Sequence, residues 1–149
     1  VTDYRPVLER LAEAALADPR REACGFVVAD GSGVLEVVQV RNVVGEVEGP
    51  PGLGRRPESA FLADPAAHLA LSRRLRREGG RIAAAFHSHA GAPGRLSTVD
   101  REHAVVDGRP VLPGADLIVV AVESGKVSEI GIFRWDGGNW VEVPASGAP

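Results

Sequence analysis

Apolar side chains recur at helical spacing near the start of the chain, at Tyr4, Val7, Leu8, Leu11, Ala15 and Leu16. This predicts a helix over 3–18, with Asp3 placed to cap it and Pro19 to help end it. The period then changes. Residues 23–29 (ACGFVVA) form a short unbroken apolar run, the mark of a buried strand. After the turn Asp30-Gly31-Ser32-Gly33, residues 34–43 are β-branched and partly alternating, which completes a hairpin. Residues 45–57 show no period and carry four Gly and three Pro, so a mobile loop is expected. A short strand or edge is expected at 58–63. Asp64 and Pro65 open a second helix to about Glu78, where Gly79-Gly80 stops it. Residues 81–89 (RIAAAFHSH) predict a strand running into a Gly/Pro loop at 90–96. Ser97 opens a short helix through about Val106. Strands follow at 116–123 and 127–135, joined by Ser124-Gly125. The turn Asp136-Gly137-Gly138-Asn139 leads to a last strand at 140–143, and the tail 144–149 is expected to fray. The alternation gives one α/β (α+β) domain over 1–149, a mixed β-sheet flanked by helices.

Composition narrows the classes. The chain has 149 residues, 44% apolar and 25% charged, which suits one soluble domain with a real core. No apolar run is long enough to span a bilayer. Glu9, Glu13 and Asp18 interrupt the first apolar segment, unlike a secretory signal. A cytoplasmic protein is therefore expected. Seventeen basic residues against twenty acidic ones give a net charge of −3, which ranks nucleic-acid binding low. Cys24 is the single cysteine, so an internal disulfide and a Cys-rich zinc site are both excluded. Any metal must be held by histidines and carboxylates.

Those ligand types are present at telling positions. His87 and His89 lie two apart on a predicted strand, so their imidazoles project to one face. Asp100 follows in the first turn of the next predicted helix, close enough to return a carboxylate over the strand end. Two His and one carboxylate with a position left open is a catalytic zinc arrangement. Such a site also needs a general acid/base, for which Glu22 is the best candidate, and an oxyanion donor, for which Ser97 is.

Glu22 within Glu22-Ala23-Cys24-Gly25, then His87-Ser88-His89, seven residues, Ser97, two residues and Asp100 together resemble the motif of the JAMM (MPN-domain) metalloproteases. The element order matches that family over nearly the whole chain, and Asp64-Pro65 fits its compact bacterial members. The chain departs at Ala90 and Leu96, where the family often has Pro. The resemblance implies a cytidine-deaminase-like core. It implies one Zn2+ per chain on His87, His89 and Asp100, with water activated by the metal as nucleophile. Glu22 is then the acid/base and Ser97 the oxyanion donor. It further implies hydrolysis of a peptide or isopeptide bond after the Gly-Gly tail of a ubiquitin-like or sulfur-carrier protein, such as release of cysteine or another amino acid. The alternative is a non-catalytic module of the same fold that recognises such a carrier.

Other features have simpler readings. Ser88 alternates to the face opposite the ligands, so packing or support of the ligands is its expected role. Cys24, inside an apolar strand, is expected to be a core residue and not a nucleophile. A deaminase would need His-x-Glu with Pro-Cys-x-x-Cys, and the chain has neither. His103 and His68 are expected on solvated helix surfaces. Arg73, Arg74, Arg76, Arg77 and Arg81 are expected to form a solvated helix end. Gly137-Gly138 is a hairpin turn.

Overall fold

The computed structural model describes residues 1–18 and 20–147. Pro19 and the last two positions of the expected loose tail lie outside the described residues. A 3-10 turn at Arg5–Val7 leads into α1 (Leu8–Leu16). The hairpin is β1 (Cys24–Ala29) and β2 (Leu35–Val40), and α2 (Pro65–Glu78) follows the irregular stretch. Next come β3 (Arg81–Ala90), α3 (Thr98–His103), the two-residue strands β4 (Val105–Val106) and β5 (Arg109–Pro110), and β6 (Asp116–Glu123). β7 (Lys126–Trp135) and β8 (Trp140–Val143) complete the chain. Six strands form one mixed sheet in the order β2-β1-β3-β6-β7-β8. Only β3 and β6 run parallel among its neighbours, joined by a crossover that contains α3.

Strand alternation sorts the core into two faces. On one, Val7 of the 3-10 turn and Leu11 and Ala15 of α1 pack with Val27, Phe86, Ile118, Val120 and Ile132. On the other, α2 sets Leu71 and Leu75 on Phe26 and Val28, while Leu96 joins Val119, Phe133 and Trp140. β3 sits at the centre of the sheet, so both faces of its Ala-rich first half are covered. Asp64 caps α2 by accepting from the Ala66 N–H at 3.0 Å, and Gly79 ends it at φ 70°, a left-handed position that favours glycine.

Three expectations need correction. The expected strand at 58–63 is no strand: a single bridge pairs Ala63 with Asn42. Phe61 of this segment stacks on His87, as described below. The third helix ends at His103, and Val105–Val106 turn instead into a small hairpin with Arg109–Pro110. β-branched Val105 and Val106 suit that extended geometry better than a helix end. Residues 144–147 are not loose. The Ala145 carbonyl accepts from the Tyr4 N–H at 2.8 Å, and Ala145 packs on the core. No helix among the described residues is long and apolar enough to cross a membrane.

Candidate metal centre

The site forms where β3 leaves the sheet. His87 and His89 do project to one face, and both are buried. Their Nε2 atoms lie 3.1 Å apart. The Asp100 Oδ2 is 3.1 Å from His87 Nε2 and 3.2 Å from His89 Nε2. Ligands at zinc–nitrogen distances in a tetrahedral shell stand about 3.3 Å apart. The three atoms thus make one triangular face of such a shell. Its size fits a small cation.

Local structure explains each placement. Ser97 is the N-cap of α3, its hydroxyl accepting from the Asp100 N–H at 3.0 Å. The Asp100 Oδ2 accepts in turn from the Ser97 N–H at 2.9 Å. This reciprocal cap aims the carboxylate back at β3. Leu96, the residue before this cap, is anchored in the core. His89 Nδ1 lies 2.9 Å from the Pro93 carbonyl. A carbonyl only accepts, so Nδ1 carries a proton and Nε2 is the ring atom turned to the cluster. Once Nε2 of both histidines gives up its proton, the two nitrogens and the Asp100 Oδ2 would offer lone pairs to one point, an arrangement that a cation satisfies.

Electrostatics agree. Burial draws His87 below the usual histidine range, against the opposing pull of Asp100. Burial also opposes protonation of His89, but hydrogen bonds to Asp100 and Pro93 and the nearby carboxylates outweigh it. Asp100 is held well below the usual carboxylate range: burial works the other way, and the two histidines overcome it.

Glu22 stands just before β1. Cys24 pairs with His87, and the Ser88 N–H reaches the Ala23 carbonyl at 2.9 Å. Continuing that register sets Glu22 beside His89 on the same face. Buried Ser88 supports this edge, its Oγ accepting from the Ala23 N–H at 2.7 Å. Glu22 is buried, at 8% exposure, and burial pushes its carboxyl up to about 7, with His89 opposing and Asp100 adding to the shift. Among the described residues no hydrogen bond ties that carboxyl, so both oxygens are free to exchange a proton.

A model of prokaryotic homologues of the JAB domain matches residues 4–136. The chain belongs to this JAB/MPN family. The match runs from the Tyr4 anchor to the end of β7, so it takes in every member of the centre. A protein of Desulfitobacterium hafniense, solved in solution, shares the JAB-domain chain's fold with a TM-score of 0.66 at 22% identity, over 93% of this chain and 86% of that one. A protein of Salinibacter ruber, also solved in solution, gives 0.58 at 18% identity, over 97% of this chain and 89% of that one. No curated protein matches.

Four contributors to the centre of this JAB domain were not foreseen. The Phe61 ring stacks on His87 at 4.3 Å and 16°. It covers one face of that imidazole ring. Asn42 is buried and fully used. Its Nδ2 donates to the Glu22 and Ala60 carbonyls at 2.9 and 3.0 Å, and its Oδ1 accepts from the Val44 and Leu62 N–H groups at 3.1 and 3.0 Å. One amide thus fixes both Glu22 and the segment bearing Phe61. Pro93 sets the His89 tautomer, and Glu129 holds the next residue, Gly94. The sole advance signal was the lone Asn at the end of a β-branched run.

The bland readings mostly stand. Cys24 is buried, its thiol directed at the Val40 carbonyl. Arg73, Arg76 and Arg77 are exposed, while Arg74 pairs with Glu36 and Glu78. Gly137 and Gly138 form the β7–β8 turn, tied by the Asp136 carboxylate. The two remaining histidines need correction, since both are half-buried. His68 leans on Phe26 at 4.7 Å. His103 Nε2 lies 3.2 Å from the Pro51 carbonyl, tying α3 to the irregular stretch 45–57.

Proposed function

We propose that this JAB domain is a zinc-dependent hydrolase of peptide or isopeptide bonds. The observation that carries the reading is the triangle of His87 Nε2, His89 Nε2 and Asp100 Oδ2, with the untied, buried Glu22 carboxyl beside it. A zinc ion held by those three residues supplies Lewis acidity, which lowers the pKa of water toward 7 and polarises a carbonyl oxygen.

The chain's own groups supply the rest. Glu22 accepts a proton from the attacking water as the new C–O bond forms. It returns that proton to the leaving amine as the C–N bond breaks, which a carboxyl near neutrality can do in both directions. The Ser97 hydroxyl spends a lone pair on the α3 cap and keeps its proton. It can therefore donate to the oxygen on which negative charge develops. Phe61 and the segment fixed by Asn42 keep bulk water from one side of the centre.

Family membership and the motif resemblance support a substrate whose scissile bond follows the Gly-Gly tail of a ubiquitin-like or sulfur-carrier protein. The test is hydrolysis of a carrier protein extended by one amino acid, followed by mass spectrometry. Wild type removes the extra residue. Glu22→Gln keeps the metal and loses at least about a hundredfold in rate, in the range for a lost general acid/base. Zinc binding without turnover in the wild type would favour the non-catalytic carrier-binding module instead.

A further inference from the structure

The peptide group between Pro93 and Gly94 is held at both ends. Its carbonyl oxygen faces His89 Nδ1 at 2.9 Å. Its N–H belongs to Gly94 and donates to Oε1 of Glu129. His89, a metal ligand, and Glu129, an exposed residue on β7, are therefore joined through one amide.

Sheet register explains how. His89 pairs with Ala121, and Ala121 pairs with Glu129, so the three form one row across β3, β6 and β7. Residues in a row share a face, and neighbouring strands are about 4.8 Å apart. His89 and Glu129 thus stand about 10 Å apart, beyond direct contact. Ala121 between them carries only a methyl group, which leaves room above it for the returning loop. The next row along the strands is His87, Val119 and Gly131. Gly131 is as necessary as Ala121, because a Cβ there would stand 2.1 Å from the Gly94 carbonyl oxygen. Gly94 lies close against the Glu129 side chain, since its own Cβ would stand 2.7 Å from Glu129 Cγ. A bulge in β7 at Ser128, between the pairs Ala121–Glu129 and Val122–Val127, locally re-aims the strand beside this loop.

We infer that Glu129 is a positioning residue for the metal centre. Its carboxylate grips the Gly94 N–H and so fixes the Pro93 carbonyl against His89 Nδ1. That contact selects the Nδ1-protonated tautomer and turns Nε2 toward His87 and Asp100. An acceptor on the N–H of an amide also strengthens its carbonyl as an acceptor, because hydrogen bonds in a chain polarise one another. The inference builds on the metal-binding reading above, yet its first consequence is a property of the metal-free chain.

The test combines nitrogen-15 imidazole NMR of the metal-free protein with zinc affinity measured against a chromophoric chelator. Wild type shows a proton fixed on His89 Nδ1 by its hydrogen bond to the Pro93 carbonyl. Glu129→Ala loses that fixed proton and binds zinc about tenfold more weakly, the low end for loss of a group supporting a ligand. Glu129→Gln keeps an acceptor oxygen and restores the fixed proton. An unchanged His89 Nδ1 proton in Glu129→Ala overturns the inference, whatever zinc does. Wild type that binds no zinc overturns the metal reading, while that proton still decides the role of Glu129.

Discussion

Gly25 shows how much a single missing methyl group decides in this chain. It lies in β1 between β2 and β3, and a Cβ there would stand 2.2 Å from the Val38 carbonyl and 2.7 Å from the Phe86 ring. Phe86 crosses this point to fill the core under α1. Gly25→Ala is expected to cost about 3 kcal/mol or more, since neither backbone nor ring has space to yield. Chemical denaturation against wild type measures it. Its neighbour Cys24 is buried, and burial, with the Glu22 charge adding, pushes its thiol up to about 12. A thiol so protonated and enclosed is a poor nucleophile. Disulfide-exchange reagents are therefore expected to label Cys24 only in denaturant, and Cys24→Ala is expected to keep wild-type turnover. Rapid labelling of the folded protein would contradict this. The pair Cys24-Gly25 was visible in the sequence as part of a motif. The physical need for glycine was not, because it depends on the ring of Phe86, far along the chain.

Elements bounded by local chemistry were legible along the chain, and those made by distant contacts were not. α2 follows the expected bounds because Asp64, Pro65 and Gly79 act on their own neighbours. β3 and α3 placed His87, His89 and Asp100 through spacing alone. The segment 58–63 read as a strand because it is apolar, but its role is to cover His87 with Phe61. The Asn42 side chain gives that segment its shape, using an amide whose partners lie up to 20 positions away. Asn42→Ala leaves buried backbone groups of two segments without partners, so a loss of about 3 kcal/mol is expected. The same variant frees Phe61 and Glu22, so turnover is expected to fall further than stability requires. Comparing activity with the folded fraction at low temperature checks this.

The whole molecule places its two anchoring networks at opposite ends of the parallel pair β3 and β6. At the end where both strands start, the Tyr4 hydroxyl reaches the Ala83 carbonyl and Asp116, which Arg134 also binds. At the end where they finish, His87, His89 and Asp100 gather beside Phe61 and the 90–96 loop. Strand alternation predicted a mixed sheet, but not which strands become neighbours. Pairing of β3 with β6 joins segments 32 positions apart, and only the full fold fixes it. That pairing sets Ala121 beside His89 and so gives the 90–96 loop its bed.

The central claim is that His87, His89 and Asp100 hold one zinc ion, and elemental analysis of purified protein tests it most directly. About one zinc per chain is expected in wild type and in Glu22→Gln, and almost none in Asp100→Ala. Wild type that takes up no zinc after reconstitution, or Asp100→Ala that keeps a full complement, would contradict the account.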